Sequence, residues 1–239
     1  MCEACGCGDS KVVPVAIHER ILAGNDRVAC HNREHFREHS VMAINLMGSP
    51  GAGKTAVLEA TARALGAEAK LGVLAGDLAT DNDAARVRAA GIVAESITTG
   101  TACHLDADMV HRGLHRLPWR ELDYLFIENV GNLVCPAVYD LGQEMNVVAL
   151  SVTEGEDKPL KYPTMFQKSD LVLLTKADLL PHLDVKIDVI RKNLSLVMPK
   201  PAMVLVSAKT GEGIDRWVRW LKGIGHPRSS ACATGISTW

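Results

Sequence analysis

Eight consecutive residues of this 239-residue chain, Gly48-Ser-Pro-Gly-Ala-Gly53-Lys54-Thr55, have the types and spacing to hold a polyphosphate. Gly48, Gly51 and Gly53, with Ala52 between them, let the backbone turn so tightly that successive N–H groups face phosphate oxygens beside the positive end of a following helix. Lys54 would reach the β- and γ-phosphates, and the Thr55 hydroxyl would ligate Mg²⁺. The flanks suit this chemistry. Val41 to Met47 is an apolar run of strand length, and Val57, Leu58, Thr61, Ala62 and Leu65 recur at helical spacing. With strand, loop and helix in that order, a merely structural glycine turn is the weaker reading, and a nucleoside-triphosphate site is the stronger.

Other polar residues stand at the ends of apolar runs, where open α/β sheets collect ligands. KLGVLAGD ends in Asp77, a carboxylate able to hold Mg²⁺ directly or through water, with plain loop structure as the rival reading. Thr80 to Asp83 has the spacing of a helix start, so Asp81 and Asp83 read as cap and dipole residues. LDYLFIE ends at Glu128, and Gly131 follows three residues later. That E-x-x-G spacing parallels the D-x-x-G of nucleotide switches, in which a glycine N–H senses the γ-phosphate. DLVLLT leads into Lys176-Ala-Asp178. Asp178 would accept from the ring N–H and exocyclic amine of guanine, a donor pair adenine lacks, and a buried carboxylate left unsatisfied would sharpen the choice. The Lys176 stem would cover the base, and a backbone N–H of Ser207-Ala208-Lys209 would meet its carbonyl oxygen. Together these favour GTP over ATP.

A second chemistry is written in sulfur and imidazole. Cys2, Cys5 and Cys7 crowd the first nine residues, and with the α-amino group they make an S₃N set that suits Ni²⁺ better than Zn²⁺. Incidental thiols on a tail are the alternative. Cys103 and His104 adjoin in the turn before a helical stretch, and Cys135 lies seven residues after Glu128. These three residues at one sheet edge would form a metal site, against a rival reading of inert buried cysteine. His31, His35 and His39 lie at i, i+4 and i+8, a ladder that can chelate but is more often solvated surface. Cys232, near the end, reads as incidental.

The elements needed to position these groups give an α/β fold: a P-loop NTPase with a mostly parallel central sheet flanked by helices, plus an N-terminal helical extension. The expected division is a cysteine motif at 1–10, a helical extension at 11–40 interrupted near Gly24-Asn25-Asp26, a GTPase domain at 41–224 and a flexible tail at 225–239. The helix from Ile214 to Leu221 would close the domain with Trp217, Trp220 and Leu221 inward. A net charge of −2 with no long basic run speaks against nucleic acid as a partner. No apolar run approaches a membrane span and no signal segment opens the chain, so a cytoplasmic location is expected. Seven cysteines in a reducing compartment would serve metal or redox chemistry.

With these residues collected, the chain resembles the hydrogenase nickel-incorporation GTPase family, in the dimerising class of P-loop GTPases. The resemblance rests on MCEACGCG, NLMGSPGAGKT, GDLATDNDAARVRAAG, TGTACHLDADMV, ENVGNLVCP, LSVTEGEDKPLKYP, LLTKADLLP and VSAKTGEG, and covers roughly residues 1 to 224. It implies a GTP-promoted homodimer whose slow hydrolysis is coupled to nickel delivery to a hydrogenase large-subunit precursor. A small zinc-bearing metallochaperone is the implied partner, joined in some members by a metal-binding prolyl isomerase. Carried over, Lys54 and Thr55 bind phosphate and Mg²⁺, with Asp77 and Glu128 in the metal–water network. Lys176 and Asp178 read guanine. Cys103, His104 and Cys135 form an interfacial site for Ni²⁺ or Zn²⁺, and Cys2, Cys5 and Cys7 a tighter nickel site. Three departures stand out. The long histidine tract of some members is missing, which argues against a storage protein. Thr175 replaces the usual asparagine, and Ser49-Pro50 stand where related ATPases carry an extra lysine. A sister GTPase serving urease or a cobalamin enzyme fits the Cys-His pair and the N-terminal thiols less well.

Overall fold

The structure, a computed structural model, describes residues 12–77 and 82–225. Seven strands form one parallel sheet: β1 (Met42–Gly48), β2 (Leu71–Asp77), β3 (Val93–Thr98), β4 (Tyr124–Glu128), β5 (Met145–Ser151), β6 (Leu171–Thr175) and β7 (Met203–Leu205). Their spatial order is β3-β2-β4-β1-β5-β6-β7. The helices are α1 (Val12–Glu38), α2 (Lys54–Leu65), α3 (Asn82–Ala89), α4 (Ala107–Leu114), α5 (Lys158–Lys161), α6 (Pro163–Gln167), α7 (Ile187–Val197) and α8 (Ile214–Gly223).

Strand β1 is buried along its whole length because the sheet is covered on both faces. Its alternate side chains divide between the layers. Ile44 and Leu46 join Leu58 of α2, Val87 of α3 and Trp217 of α8, while Ala43 packs with Phe36 of α1 and Leu114 of α4. Met47 turns to a third cluster with Phe166 of α6 and Leu194 of α7. Trp217 is fully buried, and its indole N–H donates to Thr61 Oγ1 at 2.8 Å, so the closing helix is anchored by apolar area and a satisfied polar tip. Leu221 is buried beside it and Trp220 stacks on it, as the inward stripe requires.

Helix α1 departs from expectation, running unbroken through Gly24-Asn25-Asp26. Tertiary bonds override the weak local propensity there. Asn25 Nδ2 donates to the Asp140 carbonyl at 2.8 Å, and its Oδ1 accepts from the Ala107 N–H at 2.9 Å. Further along, Arg33 pairs with Asp140 at 2.7 Å and Arg37 with Glu144 at 3.3 Å. The extension is thereby fastened to α4 and to the loop before β5.

Among the described residues, no helix is long and apolar enough to cross a membrane. All pairings between the strands are parallel, so the loops after β1, β2, β4 and β6 leave from the same end of the sheet. Among the described residues, those singled out in the sequence from Gly48 to Lys209 lie at the carboxyl ends of these strands, on the loops that follow them, β3 and β7 included, or at the helix starts the loops lead into.

Candidate functional site

Gly53 takes a left-handed conformation, φ 89°, which turns the chain from the loop into α2 at Lys54. The buried Lys54 ammonium donates to the Gly48 and Ser49 carbonyls, each at 3.3 Å. Burial pushes its pKa down, while the carboxylates of Glu128, Asp83 and Glu154 pull it back. Thr55 Oγ1 stands 2.7 Å from Glu128 Oε1 and 3.0 Å from Asp83 Oδ1. Glu128 is nine-tenths buried, and burial raises its pKa to about 7 against the opposing effects of the Thr55 hydroxyl and Lys54. Its second oxygen, Oε2, is buried with no hydrogen-bond partner among the described residues. An orphaned carboxylate oxygen beside a hydroxyl and a second carboxylate is a hard-oxygen set that suits Mg²⁺. Asp77 lines the same cleft, of about 340 Å³, together with Arg86 and Gly131.

The sequence treated Asp83 as a cap or dipole residue. It does lie in the first turn of α3, yet its side chain is aimed at Thr55. Asp81 lies outside the described residues. The Glu128-to-Gly131 spacing places Gly131 directly against the loop: a Cβ there would meet Pro50 N and Cα at 2.9 Å. The next residue, Asn132, bridges to Gly48. The strand-end acid, the glycine and the phosphate loop are thus packed together.

The base end is assembled from β6 and β7. Thr175 Oγ1 donates to the Ala52 carbonyl at 2.6 Å, tying the phosphate loop to the base-side strand. Lys176 has φ 60°, a left-handed turn that starts the segment carrying Asp178. Asp178 Oδ1 accepts from Ser207 Oγ at 2.6 Å, and this bond, with nearby Lys209 and Lys176, holds its carboxyl below the usual range. Two expectations need correction. Asp178 is half-buried rather than buried, because it stands at a sheet edge that opens outward. The Ser207 N–H is already donated to the Glu212 carbonyl at 2.9 Å, which leaves the backbone of Ala208 and Lys209 as the candidates for a base carbonyl.

The three sulfur and imidazole residues converge. One ligand atom from each of Cys103, His104 and Cys135 lies within 4.8 Å of the others, and all three residues are half-buried. Cys103 Sγ is 2.8 Å from Cys135 Sγ and 3.8 Å from His104 Nδ1. The His104 ring stacks on Tyr139 with centroids 3.8 Å apart, and burial lowers its pKa, so the neutral, ligating form is favoured. The contact with Cys103 and burial raise the Cys135 thiol. Asp106, two residues beyond His104, caps α4 by accepting from the Met109 N–H at 2.7 Å, which fixes the turn that carries Cys103 and His104.

A residue missed in the sequence joins the two sites. Asn129 directly follows Glu128 and is buried. Its Oδ1 accepts from the Leu105 N–H at 3.1 Å, and its Nδ2 donates to Asn45 Oδ1 at 3.1 Å. Asn45 in turn donates to Asn146. The phosphate-end strand is thus bonded to the residue next to His104. Asn45, inside an otherwise apolar run, was the only sequence trace of this network. Cys2, Cys5, Cys7 and Cys232 lie outside the described residues.

Residues 42–204 match the family model described as CobW/HypB/UreG, nucleotide-binding domain. A hydrogenase maturation factor HypB from Azotobacter vinelandii is 52% identical over 206 residues, spanning 86% of this chain and 68% of that protein. A hydrogenase/urease maturation factor HypB from Helicobacter hepaticus is 44% identical, covering 84% of each chain. The solved structure of HypB from Helicobacter pylori in complex with nickel superposes with TM-score 0.81 at 38% identity, covering 87% of this chain and 99% of that one.

Proposed function

Because the chain belongs to the CobW/HypB/UreG family, in its HypB branch, we propose that it is a nickel carrier whose grip on the ion is set by GTP. The observation that carries this reading is the convergence of Cys103, His104 and Cys135 on segments bonded to the phosphate end. Cys135 rides seven residues after Glu128, beyond Gly131, so a movement of that segment on hydrolysis would move a ligand.

In this reading Lys54 and the loop N–H groups from Gly51 to Thr55 bind the phosphates. Thr55 would hold Mg²⁺, with Glu128, Asp77 and Asp83 around it, and that ion would neutralise charge gathering between the β- and γ-phosphates. Gly131 reports the γ-phosphate, and Asp178, ordered by Ser207, reads guanine with Lys176 over the base and Ala208 and Lys209 beneath its carbonyl oxygen. Among the described residues no glutamine lines the phosphate cleft, and Arg86, which does, is engaged by Glu59 at 2.9 Å, which supports slow turnover by the isolated chain.

Two thiolates and an imidazole suit Ni²⁺ or Zn²⁺, and the nickel-bound structure of the Helicobacter pylori relative supports nickel as the cargo. A GTP-promoted homodimer would bring two such sites together, with a zinc-bearing metallochaperone and, in some settings, a prolyl isomerase as exchange partners. The N-terminal Cys2, Cys5 and Cys7 would form the tighter nickel site.

The test is radioactive-nickel transfer to an apo hydrogenase large-subunit precursor from protein loaded with GTP or GDP. Faster transfer on hydrolysis supports the reading, and transfer independent of nucleotide contradicts it. The Helicobacter hepaticus relative is named for urease as well as hydrogenase. An apo-urease acceptor in the same assay distinguishes that second reading.

A further inference from the structure

We propose that His31 and His35 of α1, with His111 of α4, form a second divalent-metal site, distinct from Cys103, His104 and Cys135. The two α1 rings are one helical turn apart, and their Nε2 atoms stand 2.9 Å from each other. Histidines at i and i+4 on one helix face are a known chelating pair. The 2.9 Å spacing is the length of an N–H···N hydrogen bond, and it brings both nitrogens within reach of one divalent ion of the kind imidazole suits, Ni²⁺, Cu²⁺ or Zn²⁺.

An i, i+4 pair on a surface helix is commonplace, and the supporting helix is what sets this one apart. The His111 ring centroid is 5.3 Å from that of His31 and 6.3 Å from that of His35, so a small swing of the α1 rings toward α4 brings the three onto one ion. His111 Nδ1 faces Asn32 Oδ1 at 3.0 Å. The Asn32 amide cannot turn round, because its Nδ2 donates to the Ala107 and Leu141 carbonyls at 2.9 and 3.2 Å and the residue is fully buried. Its Oδ1 therefore accepts, His111 carries its proton on Nδ1, and the lone pair is on Nε2. A histidine whose far nitrogen is fixed by a buried carbonyl is built as a ligand is built. On α1 the Nε2 contact uses one ring proton. On binding, that proton moves to the same ring's Nδ1, leaving two lone pairs for the ion with no net proton release. The third rung of the ladder, His39, does not take part: its ring packs on Trp119, with centroids 5.0 Å apart.

His111 lies on α4, the helix whose N-cap, Asp106, follows two residues after His104. The site would therefore hold an ion near the thiolate site without sharing a ligand with it.

The experiment is a Ni²⁺ titration of the full chain, read by equilibrium dialysis and by thiolate-to-nickel charge-transfer absorption. It compares wild type with the His31→Gln/His35→Gln double variant, His111→Gln, and Cys103→Ser/Cys135→Ser. Unchanged melting temperatures and GTP turnover of the histidine variants verify the fold. The double variant is expected to bind one equivalent fewer with the charge-transfer band intact. His111→Gln is expected to weaken that equivalent at least tenfold, and the cysteine variant to keep it. The same stoichiometry in the double variant and wild type overturns the proposal. So does a joint loss of the equivalent and the thiolate band, which would make the histidines part of a cysteine site.

Discussion

Asn129 Oδ1 accepts the backbone N–H of Leu105, so the residue after the strand-end acid Glu128 is bonded to the residue after His104. This bond, 3.1 Å long, is a direct link between the phosphate end and the turn that carries Cys103 and His104. Asn129→Ala removes it and strands the Asn45 carbonyl, at a cost of about 1–3 kcal/mol. The melting temperature should fall by several degrees, and the difference in nickel affinity between GTP and GDP states should shrink. Calorimetric nickel titrations of the variant in both states test this. A full-sized difference in a folded Asn129→Ala protein would show that coupling runs elsewhere.

Glu128 gives a pH signature in the nucleotide-free chain. Its folded pKa of about 7 lies above the ordinary value of 4.5, so between those limits the folded state holds more protons than the unfolded. Stability from this group therefore falls as pH rises from about 4.5 to 7, and the full penalty, of order 3 kcal/mol, is present above pH 7. Glu128→Gln should remove that slope, raising the melting temperature at pH 8 and leaving it little changed at pH 4.5, while GTP hydrolysis is lost. Thermal melts across pH give the comparison, and parallel curves for the two proteins would refute the assignment.

Gly131 tolerates no side chain. A Cβ would press on the Pro50 backbone, which cannot swing aside as a flexible side-chain tip could. Gly131→Ala should lower GTP hydrolysis at least tenfold and displace the phosphate loop. Weakened binding of a GTP analogue with GDP binding less affected would mark loss of the γ-phosphate contact. Equal loss for both nucleotides would indicate general loop damage.

Asp178→Asn should cut the preference for GTP over ATP at least tenfold in competition binding, since the amide presents a donor where guanine also presents one. Ser207→Ala should do the same more weakly, because the hydroxyl only orders the carboxylate. Unchanged selectivity in both variants would place base recognition outside this pair.

The strands were legible because each is an apolar run ending in a polar group, and Thr55, Asp77, Glu128 and Asp178 fall at or just beyond those ends. The meeting of Cys103, His104 and Cys135 was legible for the same reason, since parallel strands deliver their loops to one edge. Asp83 was obscured because an acid in a first helical turn already has a local explanation. Asn129 and Asn45 were obscured because amides in or beside a buried strand carry no spacing rule, and only register reveals their contact. The unbroken α1 and the approach of His111 to His31 depend on how two distant helices pack, which periodicity along either one does not encode.

The central claim is that nucleotide state sets the grip on nickel, and linkage requires the effect to be reciprocal. The direct measurement is the Ni²⁺ dissociation constant of the Cys103/His104/Cys135 site, with Mg²⁺ and either GDP or a non-hydrolysable GTP analogue, in a Cys2→Ser/Cys5→Ser/Cys7→Ser background. The account predicts at least a fivefold difference between the two states, abolished by Cys135→Ala. Equal dissociation constants in both states would contradict it.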